Sequence, residues 1–391
     1  MHSLWNGNKK KIVYFVLAAV VLLLNFSAWS SAAFCDWYIR HIFPVWVNTY
    51  GRVTGLFPFS IGEWLIALGV LLLVLLAVVI LSLAVVRFLT FLRKKKMPGG
   101  FLKMCRGYLL FFAWALLGVC LIMTLNCTIL YHASTFSQTY FGEEKGEYEA
   151  EELIRLYNMV AEKCNTLSET IDRDGSGKPV YAGNMAATAK RSMQKLGQTY
   201  DQLDGWYPNP KPMFFSDFMC QQYMAGYYFP FSMEANYNDV MYILNKPATM
   251  CHELAHLRGY IYEDEANFIS YLACIGSGDD FFEYAGYLSV LGYISGDVMR
   301  LMDKNPALFD KSHEEFPLID VLDQVFADDI FVEQEEWDRI NGKALIDTEV
   351  VDKAADVFID TNLKVNGVSD GKVSYSRVVK LLLQYYRINS Y

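Results

Sequence analysis

The stretch Pro247-Ala248-Thr249-Met250-Cys251-His252-Glu253-Leu254-Ala255-His256-Leu257-Arg258-Gly259 holds two of the chain's six histidines four residues apart, with a glutamate directly after the first. Proline suits the first turn of a helix and glycine its carboxyl-terminal cap, so both histidines fall in a helix interior. There His252 and His256 project from one face, one turn apart, close enough to share one tetrahedral zinc. Glu253 lies beside that face and reaches a water in the metal's open position, as a general base that later passes the proton to a leaving amine. The bland alternative is a pair of core histidines beside a surface glutamate. With histidine this scarce, the pattern arises by chance in roughly one protein in a hundred.

A third ligand has to come from nearby. Tyr262 stands where the pattern HExxHxxGxxH would have its last histidine, and Cys251 and Cys274 lie off the required faces. The run Glu263-Asp264-Glu265-Ala266-Asn267-Phe268 opens the next helical pattern. Glu263 and Asn267 are four apart and share a face, so Glu263 is the expected ligand and Asn267 the residue that holds a histidine by hydrogen bonding. Glu265 points away and ranks second. Gly259 permits the short return from His256 to Glu263. An oxyanion-stabilising group is not identifiable; Tyr284 and Tyr287 are the tyrosines considered.

Away from this segment, three long apolar runs mark the first third of the chain: residues 12–34, 64–86 and 107–132 carry no Asp, Glu, Lys or Arg. Each exceeds the ~20 residues needed to cross a bilayer. The amino-terminal segment carries Lys9, Lys10 and Lys11. The loop between the second and third runs carries Arg93, Lys94, Lys95, Lys96, Lys103 and Arg106. By the positive-inside rule the amino terminus is cytoplasmic, and three crossings leave residues 133–391 outside. Residues 1–132 hold 12 Lys and Arg against 2 Asp and Glu, a balance of +10; the whole chain carries −9, which leaves −19 for the remainder. An acidic body argues against nucleic acid as a partner, and membrane lipid is the expected partner of the anchor.

Within residues 133–391 a helical pattern opens in the acidic stretch Glu143 to Glu152 and runs to about Ile171, and a second covers Ala186 to Leu203. The intervening Asp172-Arg173-Asp174-Gly175-Ser176-Gly177 reads as a turn, since a calcium loop would need Glu where Gly183 stands. Phe214 to Phe218 and Gly226 to Glu234 read as extended. Pro230 demands a sheet edge for the latter strand, because proline cannot donate to a ladder. Helices resume from Pro247, the last at about Tyr375 to Tyr386. Among the cysteines, Cys35, Cys164, Cys220, Cys251 and Cys274 fall outside the membrane, where one or two disulfides are feasible. The expected fold is mainly helical with a small β-sheet, standing on a three-helix anchor.

Glu253 and its neighbours resemble the gluzincin peptidases, in which HExxH is followed by E-x-x-A-D or E-x-x-A-N. They also resemble a narrower family of uncharacterised bacterial membrane proteins, a domain of unknown function. That family has three amino-terminal spans, a tyrosine-rich strand and H-E-x-A-H-x-x-G followed by E-x-E-A-N-F. The segments Gly226 to Phe231, His252 to Gly259 and Glu263 to Phe268 carry the likeness, which extends over nearly the whole chain. It implies a zincin-like α+β domain that binds zinc through His252, His256 and Glu263. Only six residues separate His256 from Glu263, where many gluzincins insert more. Zincins bind substrate along an edge strand before the metal helix, the place of Tyr227 to Met233. The expected function is a zinc metallopeptidase cleaving peptides or proteins at the outer face of the cytoplasmic membrane. A catalytically silent zincin-fold sensor or scaffold of the cell envelope is the alternative.

Overall fold

The computed structural model of the protein describes residues 2–142, 148–368 and 377–389. Among these residues three helices are long and apolar enough to cross a membrane: Lys9–Ser30 within α1 (His2–Ser30), all of α4 (Ile61–Leu92), and a third running Gly99–Phe141. Leu71, Leu73, Val78 and Leu81 of α4 are more than half exposed, as the lipid-facing residues of a spanning helix should be. The first span ends earlier than its apolar run. Ser31 takes an extended conformation and its side chain accepts from Phe34 N at 3.2 Å, so Ala32 to Phe34 begin a new helix. That helix, α2 (Ala32–His41), and α3 (Phe43–Thr54) fill the connection to α4.

The third span is α5 (Gly99–Met123), continued by a π-helical turn Thr124–Thr128 and by Ile129–Tyr131. Its far end leaves the lipid-facing pattern: Ile129, Leu130 and Tyr131 are buried in the same core as Leu254 and Ala255 of the HELAH helix. Cys35, Ile39, Phe43 and Val47 belong to that core too, so it does not stop at residue 132. The body therefore sits on the end of α1, the start of α4 and the end of α5. Those three helix ends lie together, opposite the basic loop Arg93 to Lys96.

Beyond the anchor come α6 (Phe136–Phe141), α7 (Ala150–Thr170) and α8 (Met185–Gly197). In α7, Leu156, Val160 and Cys164 turn inwards as their spacing requires; Glu143, where the acidic stretch opens, lies outside the described residues. The second helix stops at Gly197, short of Leu203, and the chain folds back over that residue so closely that a Cβ there would lie 2.8 Å from the Asp204 backbone. The Asp172 to Gly177 segment is a turn, closed by Asp174 Oδ1 accepting from Ser176 N and Lys178 N.

The small sheet has three strands in the order β1-β3-β2: β1 (Lys211–Pro212), β2 (Gly226–Phe229) and β3 (Glu234–Tyr237). The stretch expected as one strand is a hairpin, with Phe229 opposite Glu234 and Pro230 in the turn, where its missing N–H costs no ladder bond. β2 does lie at the sheet edge. Phe214 to Phe218 is not extended. It is a turn running into a short helix, Ser216–Cys220, since Glu63 of α4 captures the amides of Phe214 and Phe215 at 3.0 and 2.8 Å.

Then follow α9 (Asn245–His256), α10 (Glu263–Ile275) and α11 (Asp280–Lys304), with α12 (Thr348–Val365) and α13 (Val378–Asn389) after several short helices. Tyr375, the expected start of α13, lies outside the described residues. The eight cysteines are free, so the feasible disulfides do not form; Cys251 and Cys274 face each other in the core with their sulfurs 3.9 Å apart.

Candidate metal centre

α9 carries both histidines in its last two turns, and the chain reverses at Gly259, whose φ of 91° favours glycine. A Cβ at that position would lie 2.7 Å from Ile39 of α2, a second reason for glycine there. The reversal lets Glu263, first residue of α10, return across the imidazoles. Its Oε2 lies 3.0 Å from His252 Nε2 and 4.0 Å from His256 Nε2. The ligating atoms of His252, His256 and Glu263 all fall within 4.8 Å of one another. Donors sharing a tetrahedral zinc at about 2.1 Å stand about 3.4 Å apart, so small side-chain movements convert this cluster into a ligand set.

Both imidazoles are held from behind. Asn267 Oδ1 lies 2.8 Å from His252 Nδ1, and the carbonyl of Tyr260 lies 2.8 Å from His256 Nδ1. An acceptor opposite each Nδ1 keeps the proton there and turns each Nε2 lone pair towards Glu263. Tyr228 of β2 packs its ring against His256, centroids 5.8 Å apart.

The electrostatics of the cluster favour a positive charge at its centre. Burial would lower the His252 imidazole, but the hydrogen bond and charge of Glu263, with Glu253 and Asn267, raise it to about 9. His256 goes the other way, to about 4, through burial and the neighbouring His252 charge. Glu263 stays below the usual carboxylate range: burial raises it, and His252 and His256 outweigh that. The space between the Glu263 carboxylate and the two Nε2 atoms is the place a metal cation would take.

Glu253 lies next to this cluster and is not part of the ligand triangle. It is 4% exposed, its Oε2 is buried with no hydrogen-bond partner, and burial pushes its carboxyl up to about 8. The backbone of Gly226 in β2 presses on it: a Cβ at Gly226 would lie 2.4 Å from Glu253 Oε1. Glu265 turns away. Its carboxylate accepts from the amide and hydroxyl of Ser137 at 3.0 and 2.5 Å, capping α6. Tyr284 is also remote, its hydroxyl bonded to Asp328 at 2.8 Å, and Tyr287 packs on Tyr271. Burial and then the charge of Glu263 raise the phenol of Tyr293 on α11, which the sequence reading missed. Gly226 and the Tyr260 carbonyl were missed as well; a glycine before an aromatic run was the only hint of the former.

A family model described as a protein of unknown function (DUF3810) matches residues 38–383. The chain belongs to the DUF3810 family. The match runs from α2 to α13 and so takes in the metal-type cluster, the sheet and the two later spans of this DUF3810 protein. No curated protein and no solved structure matches it.

Proposed function

We propose that this DUF3810 protein is a membrane-anchored zinc metallopeptidase with a zincin-like body, cleaving peptide bonds at the outer face of the cytoplasmic membrane. The convergence of His252, His256 and Glu263, with Glu253 buried and uncommitted beside them, carries the reading. Zinc bound there would supply a Lewis acid that polarises the scissile carbonyl and acidifies water.

The chain's own residues supply the rest. His252, His256 and Glu263 hold the ion, and Asn267 and the Tyr260 carbonyl orient the imidazoles. A cation bound beside Glu253 would favour its ionised form, in which it would take a proton from the attacking water at its free Oε2 and deliver it to the leaving amine nitrogen. The C–N bond breaks, and the water oxygen ends in the new carboxylate. β2, paired among the described residues with β3 alone, offers a sheet edge beside Glu253 along which an extended peptide could bond through its backbone. The lysine and arginine distribution supports the outward orientation.

The test is Glu253→Gln in the full-length protein. Zinc content should stay near that of the unaltered chain, while cleavage of a peptide library, read by mass spectrometry, falls by a factor of about 10²–10⁴. Undiminished cleavage by the variant, or no zinc in either protein, would sink the reading.

A further inference from the structure

α12 has three faces. Val351, Ala355 and Leu363 turn inwards. Glu349, Lys353, Asp360 and Lys364 form a charged side, with Lys353 paired to Glu349 and Lys364 to Asp360. Between them runs an apolar stripe that nothing among the described residues covers: Val350, Val357, Phe358 and Val365 are 58, 67, 73 and 71% exposed. At 100° per residue these four fall within one sector of about 100°, joined by Ala354 and Thr361. A soluble helix rarely leaves so continuous a stripe in water.

One end of α12 meets the body-side ends of the membrane helices directly, and the other is tied to them through the short helix Ser216–Cys220. At its start, Gln221 Nε2 donates to Ile346 O and to Thr348 Oγ1, each at 3.1 Å. Gln221 directly follows the short helix whose entry, Phe214-Phe215, is held by Glu63 in the first turn of α4. At the other end, Asn366 Oδ1 accepts from Thr128 Oγ1 at 3.5 Å. The backbone of Gly367 lies so close to Trp29 of α1 that a Cβ would sit 3.4 Å from its ring. The helix, about 27 Å long at 1.5 Å per residue, thus runs from the side of the α4 start to the ends of α1 and α5. Beside its start, Phe214 and Phe218 stand 86% and 50% exposed.

We propose that α12 lies flat in the bilayer interface on the body side, its Val350–Phe358–Val365 stripe and the neighbouring Phe214 and Phe218 buried among lipid acyl chains. The continuity of the stripe with three spanning helices selects lipid as the occupant. Interfacial helices bury such a face about 5–10 Å below the headgroups. α12 carries four carboxylates against two lysines, so apolar burial makes the contact without attraction to anionic lipid. In combination with the peptidase reading, this clamp restricts substrates to segments that emerge close to the membrane.

The test places p-benzoylphenylalanine at Phe358, at Phe214 and, on the charged side of the same helix, at Lys353. Each full-length protein is irradiated in phosphatidylcholine vesicles, and its peptides are weighed. Lipid adducts at 358 and 214 should exceed those at 353 severalfold. Yields at 358 no higher than at 353, or adducts at 358 to a second copy of the chain in place of lipid, would overturn the proposal. The readout needs neither metal nor cleavage, so its failure is separable from failure of the peptidase reading.

Discussion

Two of the three proposed ligands owe their aim to a hydrogen bond at the far nitrogen of the ring. For His256 that acceptor is the main-chain carbonyl of Tyr260, which no side-chain substitution removes. For His252 it is Asn267 Oδ1, which one substitution deletes. Asn267→Ala should therefore weaken zinc binding by about 10–100-fold, whereas Glu253→Gln, which changes no ligand, should leave it close to normal. Competition against a chelating dye measures both; equal loss in the two variants would refute the division of roles. The Asn267 partnership was readable in advance, since four-residue spacing from Glu263 puts both side chains on one helix face. Gly226 and the Tyr260 carbonyl were not, because the former acts across a strand-to-helix contact and the latter through an atom every residue has.

Among the elements, the β hairpin and the start of α4 depend on one buried ion pair. Lys211 of β1 and Glu234 of β3 are 4% and 1% exposed and are hydrogen-bonded to each other. Lys211 Nζ also donates to the carbonyls of Thr54 and Phe59 at 2.8 and 3.1 Å. Glu234 accepts from the amides of Ile61 and Gly62 at 3.1 and 2.8 Å, where the α4 dipole favours its charge. Lys211→Met would leave that carboxylate buried without its cation and should destabilise the protein by about 3–5 kcal/mol. Thermal unfolding in detergent, compared with a Lys211→Met/Glu234→Gln double variant that retains more stability, checks it. An unchanged midpoint for the single variant would show that the pair does not tie sheet to anchor. A second carboxylate at the start of α4, Glu63, explains why Phe214 to Phe218 is not a strand: it takes the amides of Phe214 and Phe215 before a ladder can.

Taken as a molecule, the protein places its body at one end of three apolar helices and a run of four basic residues, Arg93 to Lys96, in the loop at the other end. Under the proposed orientation, in which the positive-inside rule puts that loop in the cytoplasm, the body would be exported. Protease added to intact cells should trim the body and spare an epitope inserted after Lys96, and cell rupture should expose both. The reverse pattern would invert the topology and remove the outer-face assignment. The spans, the HELAH helix and the Glu263–Asn267 face could be read from the sequence because each rests on short-range periodicity: the length of an apolar run, or a spacing of four on a helix. Folding in three dimensions was needed for the rest. It pressed Gly226 against Glu253, joined the far end of α5 to the core of the body, and strung α12 between the membrane helices. Each of those contacts unites residues distant in the chain, and no local pattern encodes which distant surfaces will meet.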